Sequence, residues 1–264
     1  SCSCSAVRYS INSLSSSNFI ISSLNFSTIS SPLAFSNSSR LQSNSPIRLT
    51  FLPSLYHASF AFYGKFSPWN YLGRLAFPIF AFQISQGFQH TSNPNKYALR
   101  LLLFALLSQI PFSLFLYTIT GEFLTLNIFF TLLFGLFAIY AYEKCPSKWL
   151  GFLACILLAG LASLLHTDYG YYGVLLIFLF YVLRNHKIGM VFAFLGLTIV
   201  KFIPSFLQTN FYYPNILLCL FTSLAIVPIL LYNGKQGKKS KYFFYVFYPC
   251  HLLLFAFLRI IFTT

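Results

Sequence analysis

The sequence predicts an all-α, polytopic transmembrane helix bundle of about eight or nine helices, preceded by a disordered Ser-rich segment. Three observations predict it. The chain is 57% hydrophobic and 20% aromatic with only 8% charged residues, against about 25% charged in a soluble domain. Its apolar runs are too long and too many for buried core helices, because about 18 apolar residues already reach across a bilayer. Its basic residues gather in short segments between those runs, alternating with segments that hold none.

Residues 1–47 are a different material. They hold eighteen serines, Arg8 and Arg40 but no acid, with no sustained period of 3.6 or 2. The chain does not begin with Met, so this stretch is expected to be a non-native or upstream extension. An organellar transit peptide, which shares its composition, is the second reading and a functional tail the third. The membrane domain is expected over residues 48–264.

Nine spans are predicted: Leu49–Tyr63, Tyr71–Phe88, Tyr97–Thr118, Leu124–Tyr142, Trp149–His166, Tyr169–Leu183, Lys187–Leu207, Tyr213–Tyr232 and Tyr242–Phe262. The first is the weakest, being short and carrying Pro53 and His57. Lys96 and Arg100, Lys144 and Lys148, Arg184 and Lys187, then Lys235, Lys238, Lys239 and Lys241 flank alternate loops. The three loops between them hold none of these ten cations. The positive-inside rule therefore puts the basic loops in the cytoplasm. Lys65 and Arg74 fall on the other side, against the trend. Trp69, Trp149 and many tyrosines mark the interfacial belts. The net charge of +14 is read as attraction to anionic membrane lipid rather than to nucleic acid. The six cysteines lack metal or redox spacing and read as small hydrophobes.

Ionisable groups at membrane depth are costly and carry the functional expectation. His57 lies about 12 Å into its span and His251 about 15 Å into the last one, at 1.5 Å per residue. Two imidazoles at similar depth could share a cavity and exchange a proton near neutral pH. Tyr248 and His251, three apart, share a helix face, and Pro249 between them frees the carbonyl of Tyr245. Asp168 opens the sixth span, where a helix N-terminus favours an anion, with His166 close by. Lys201 lies late in the seventh span and is expected to snorkel to the outer interface. The Lys235–Lys241 loop can neutralise phosphates.

The residues Gly73-Arg74-Leu75-Ala76-Phe77-Pro78-Ile79-Phe80, with Gly87-Phe88-Gln89-His90-Thr91, resemble the early signature of the TraX family. Thr167-Asp168-Tyr169-Gly170, Leu231-Tyr232-Asn233-Gly234-Lys235 and Phe247-Tyr248-Pro249 with His251-Leu252 resemble its later motifs in the same order. The resemblance runs from about residue 55 to the end. It implies a membrane-embedded acyltransferase of the bacterial cytoplasmic (inner) membrane. That enzyme would move an acetyl group from acetyl-CoA, without a metal, to an amine or hydroxyl acceptor such as a pilin N-terminus, another peptide or a glycan. In this family an Asp-His pair typically sits in the early span; here that place reads Tyr56-His57. The family also usually has Glu where this chain has Gln86.

On this reading His57, His251 and Asp168 form the catalytic group, with His57 as the base. Arg74, His90, Tyr248 and Lys235 bind substrate. Arg74 and Asp168 lie on the acceptor side; His90 and Lys235 lie on the acyl-CoA side. A proton-coupled transporter would use intramembrane histidines and Pro-broken helices in the same way. A non-catalytic scaffold for pilus or envelope assembly is the third class, favoured by Tyr56 standing in place of the acid.

Overall fold

The computed structural model describes residues 45–63, 67–234 and 241–263. The predicted Ser-rich extension and Lys235 lie outside these residues. Eleven helical segments follow one another: α1 (Ser45–Phe62), α2 (Pro68–Gly73), α3 (Ala76–His90), α4 (Pro94–Thr120), α5 (Ile128–Lys144), α6 (Lys148–Leu164), α7 (Gly170–Val182), α8 (Lys187–Gln208), α9 (Tyr213–Leu224), α10 (Ile226–Leu230) and α11 (Lys241–Thr263). Among the described residues there is no strand longer than an isolated bridge. Four stretches are long and apolar enough to cross a membrane: Pro94–Thr120, Lys187–Gln208, Tyr213–Leu230 and Tyr245–Phe262. The bundle is apolar inside and out. Leu107 is 62% exposed, Ile110 72% and Ile188 75%, on a surface that only lipid can solvate.

Two predicted spans are broken. The second divides at Arg74-Leu75 into α2 and α3, and the eighth divides at Ala225 into α9 and α10. The first break has a local cause. Ser67 caps α2 and pairs with the Ser59 hydroxyl of α1, while Pro68 starts the helix. Gly73 then rests on the Tyr56 backbone, where a side chain would overlap the Tyr56 Cβ. This close approach fixes α2 against α1 and turns Arg74 toward the bundle.

The central helix is α7, whose Val174, Leu176, Ile177 and Phe180 are fully buried. It packs on α3, α5, α6 and α8. Its 13 residues span only about 20 Å, so the loop ahead of it lies within the protein's depth rather than beyond it. That loop is held by backbone pairing. Leu126 bridges Thr167, the Leu126 N–H donates to the His166 carbonyl at 3.0 Å, and the Asp168 N–H donates to the Leu126 carbonyl at 2.9 Å. His166 takes a left-handed φ of 51° to make the turn. Nearby, the buried Asn127 caps α5, and its Nδ2 donates to the Ala105 carbonyl at 2.7 Å and to Gln109 at 3.0 Å. The loops at this end thus form a hydrogen-bonded platform that carries Asp168.

Arg259 closes the bundle on the other flank. Its guanidinium donates to the Thr118 carbonyl at 2.7 Å and to the Ala61 carbonyl. Both carbonyls lie in the last turns of α4 and α1, where intrahelical partners run out and a cation meets the negative helix end. One side chain therefore joins α1, α4 and α11. Cys155 and Cys219 are buried as expected, whereas Cys250 is exposed on the lipid side of α11.

Candidate active site

His57 on α1 and His251 on α11 are in direct contact. The His251 Nε2 and His57 Nδ1 are 3.0 Å apart; His57 is 8% exposed and His251 6%. The register follows from spacing. Arg259 lies two turns beyond His251, and its partner Ala61 lies one turn beyond His57, so the Arg259 bond that joins α11 to α1 also sets the histidines level.

Proton positions in this pair follow from the hydrogen-bond chain. The His251 Nδ1 lies 2.8 Å from the Phe247 carbonyl. A carbonyl only accepts, so Nδ1 of His251 carries the proton. In the neutral ring its Nε2 is then an acceptor, and His57 donates to it from Nδ1. The remaining nitrogen, Nε2 of His57, carries the lone pair. The chain Phe247 carbonyl, His251, His57 thus presents one basic nitrogen.

The pair borders a cavity of about 80 Å³ whose lining includes Tyr56, Asp168, Tyr169 and Tyr248. A site of this size admits a few water-sized groups, enough for an acyl group and a reacting atom but not for a nucleotide. The Tyr248 ring stands 6.2 Å from the His57 ring, edge to face. Its hydroxyl is buried beside the Ile128 backbone N–H, which can only donate to it, so the hydroxyl proton itself has no acceptor. An O–H left unpaired beside a base is a donor available to a ligand.

At the loop end of the cavity, Asp168 remains open to solvent. Surrounding protein pushes its carboxyl up to about 6, and the cations Lys201 and Arg74 pull the other way. The Arg74 guanidinium lies 5.1 Å over the Tyr56 ring, and its Nε has no hydrogen-bond partner. Tyr169 stacks on Phe77 at 3.5 Å, fixing the wall between Asp168 and the histidines.

Of the residues expected from the sequence, His57, His251, Tyr248 and Asp168 share this one cavity, and Arg74 adjoins it through Tyr56. His90 does not join them. It is exposed at the end of α3, its Nδ1 bonded to the Gln86 carbonyl at 2.9 Å, and it is absent from the cavity lining. Arg74 and His90 are sixteen residues apart along α2 and α3, roughly 24 Å of helix, so they mark opposite ends. Lys201 was expected at the interface. Instead its ammonium turns inward over the Tyr169 ring at 4.7 Å and the Tyr172 ring at 4.2 Å. Tyr172 is anchored by Thr198, 3.1 Å away on the same helix as Lys201. A stem that finds two aromatic faces has no need to reach the headgroups. Among the described residues, no group of three or more His, Cys, Asp or Glu is placed to hold a metal ion.

Fold and site together define a polytopic helical membrane protein with a buried histidine pair on a small cavity. The chain belongs to the TraX protein family, whose sequence model matches residues 51–259. A probable fimbrial assembly protein, FimC of serogroup H1 from Dichelobacter nodosus, is 28% identical over 224 residues, covering 76% of this chain and 88% of that protein. No solved structure matches the chain.

Proposed function

We propose that the protein is a membrane-embedded acyltransferase that moves an acetyl group from acetyl-CoA to an amine or hydroxyl acceptor. The observation that carries this reading is the ordered chain from the Phe247 carbonyl through His251 to His57, ending in one basic nitrogen on a buried cavity. A base oriented by a second group is the arrangement that acyl transfer requires.

The reaction balances with these groups. The acceptor N–H or O–H gives its proton to Nε2 of His57 as its heteroatom attacks the thioester carbonyl. His57 becomes an imidazolium, and its Nδ1–H bond to His251 strengthens with the charge. The unpaired Tyr248 hydroxyl supports the oxyanion. The carbon–sulfur bond then breaks, and the proton passes from His57 to the leaving thiolate.

His251 also accounts for Tyr56. The acid that the family pattern places beside the histidine would orient its Nδ1–H, and here His251 accepts that proton from across the bundle. The cavity holds only the acyl end of the donor. The nucleotide end of coenzyme A would meet the basic loops on the cytoplasmic side of an inner membrane, with the acceptor entering past Asp168. Membership of the TraX family and the fimbrial assembly name of the Dichelobacter nodosus relative support a pilin N-terminus as acceptor.

Membranes carrying the protein, supplied with labelled acetyl-CoA, test the reading. Label should pass to an acceptor, and His57→Ala should slow transfer by about 10²–10⁴-fold. Transfer by His57→Ala at the wild-type rate would overturn it.

A further inference from the structure

A second recess lies away from the histidines. It is an open apolar groove of about 270 Å³ on the outside of the bundle, lined by Tyr142, Lys148, Trp149, Phe152, Phe178 and Val182. Half of that lining comes from α6, which among the described residues contributes nothing to the histidine cavity. Tyr142 lies ten residues beyond Leu132, the last residue of α5 on that cavity, or about 15 Å along the helix. The groove therefore takes no part in the chemistry at His57.

Its shape follows from the packing beneath it. Gly151 rests on the Tyr142 backbone, where a side chain would overlap the Tyr142 Cα, so α6 closes on α5 there. Cys155, Ala159 and Ala162, small and buried, continue the same face of α6. The bulky Trp149 and Phe152 are left facing outward. The buried Phe178 forms the floor, its ring 5.2 Å from Tyr142, edge to face, and 6.1 Å from Phe152.

Each wall of the groove ends in a cation. Lys144 follows Tyr142 by two residues on α5, Arg184 follows Val182 by two residues past α7, and Lys148 opens α6. The Lys148 ammonium donates to the Tyr142 carbonyl at 3.3 Å and stands 4.5 Å over the Tyr142 ring. That holds it at the rim with donors left for a ligand. Glu143 is the one acid in these two loops. It interacts with Tyr181, whose ring carries the Arg184 guanidinium at 4.3 Å. Glu143 thus offsets Arg184, and Lys144 and Lys148 leave the rim positive. Trp149, exposed beside Lys148, is of the kind that marks the headgroup level.

We propose that this groove binds one anionic phospholipid, with an acyl chain between Phe152 and Phe178 and the headgroup phosphate on Lys148 and Lys144. An apolar recess open to the bilayer takes a chain, and a basic rim between helices at the membrane surface selects an anionic headgroup. The groove is too short for a helix of a second copy. Phe178 to Val182 is one turn, about 6 Å, whereas a helix seam repeats over several turns.

The test titrates the full chain in detergent with phosphatidylglycerol and phosphatidylcholine of identical chains, and bound lipid is counted by native mass spectrometry. The first lipid bound should prefer phosphatidylglycerol by about tenfold or more. Lys148→Gln should abolish most of that preference. Lys96→Gln, which removes an exposed cation at the start of α4, should leave it unchanged. Val182→Trp, which fills the groove and keeps every cation, should remove the tight phosphatidylglycerol. Equal affinity for the two lipids would overturn the site. So would equal losses in Lys148→Gln and Lys96→Gln, the mark of general attraction to a basic surface. Displacement of the lipid by coenzyme A would assign the cations to that ligand's phosphates, and a dimer that Val182→Trp splits would assign the groove to a second copy; either result overturns the lipid site. If Val182→Trp does not fold, the Lys148 and Lys96 variants decide alone.

Discussion

Replacing His251 by Phe keeps a ring against Phe247, where the two now stack at 4.8 Å, but removes the acceptor that sits 3.0 Å from the His57 Nδ1. The Nδ1–H of a side chain only 8% exposed then keeps only the Pro53 carbonyl one turn back, and the lost bond costs about 0.5–1.5 kcal/mol. His57 can avoid that cost by moving its proton to Nε2, which takes the lone pair away from the cavity. Working tautomer and paired proton are thus separated by about the same 0.5–1.5 kcal/mol, so the rate should fall about 2–13-fold. That is less than the loss from removing the base outright, about 10²–10⁴-fold. The two residues act as one unit, so the double variant should be no slower than His57→Ala alone. Label transfer from acetyl-CoA in membranes measures all three. A His251→Phe enzyme within twofold of wild type would refute the relay, and so would a double variant whose loss multiplies the two single losses.

Three further outcomes follow from the same geometry. Tyr248→Phe should lower kcat by about 10²–10³-fold, the cost of one oxyanion donor, with only a small change in the thermal midpoint, because the hydroxyl proton has no acceptor to lose and only the Ile128 N–H contact goes. Gly73→Val should destabilise by about 1–3 kcal/mol through overlap with the Tyr56 backbone, read as a lower midpoint in detergent, and should also slow transfer by shifting α1. Asp168, raised from 3.8 to about 6, is protonated below that pH and cannot hold an ammonium. The KM for an amine acceptor should therefore fall as pH rises through about 6, and Asp168→Asn should leave a flat profile in that window with a uniformly high KM.

Much of the architecture was legible in the sequence because its signals are local. Apolar runs of about membrane-crossing length set the helices within a few residues. The histidine pair was legible in part: depth along each helix predicted that His57 and His251 could meet. What set their register was not, because Arg259 works across more than 190 residues of sequence on carbonyls that carry no side-chain signature. The break at Arg74-Leu75 was hidden for a similar reason. It depends on Gly73 touching Tyr56, a contact between helices that hydropathy does not encode. Lys201 was misplaced because snorkelling is the default for a lysine near a span end, and the aromatic faces of Tyr169 and Tyr172 come from another helix. His90, expected on the acyl-CoA side rather than beside the histidines, bonds its own helix and lies apart from the cavity.

Tyr56 gives the most direct test of the central claim. Wild type and Tyr56→Asp should be assayed side by side in membranes with labelled acetyl-CoA. The account predicts that the wild type transfers label by itself, because His251 already orients His57, and that Asp at position 56 changes the rate by no more than a few fold. Transfer by the Asp variant alone would show that the His251 relay does not do the work assigned to it, and silence from both would contradict acyl transfer at this site.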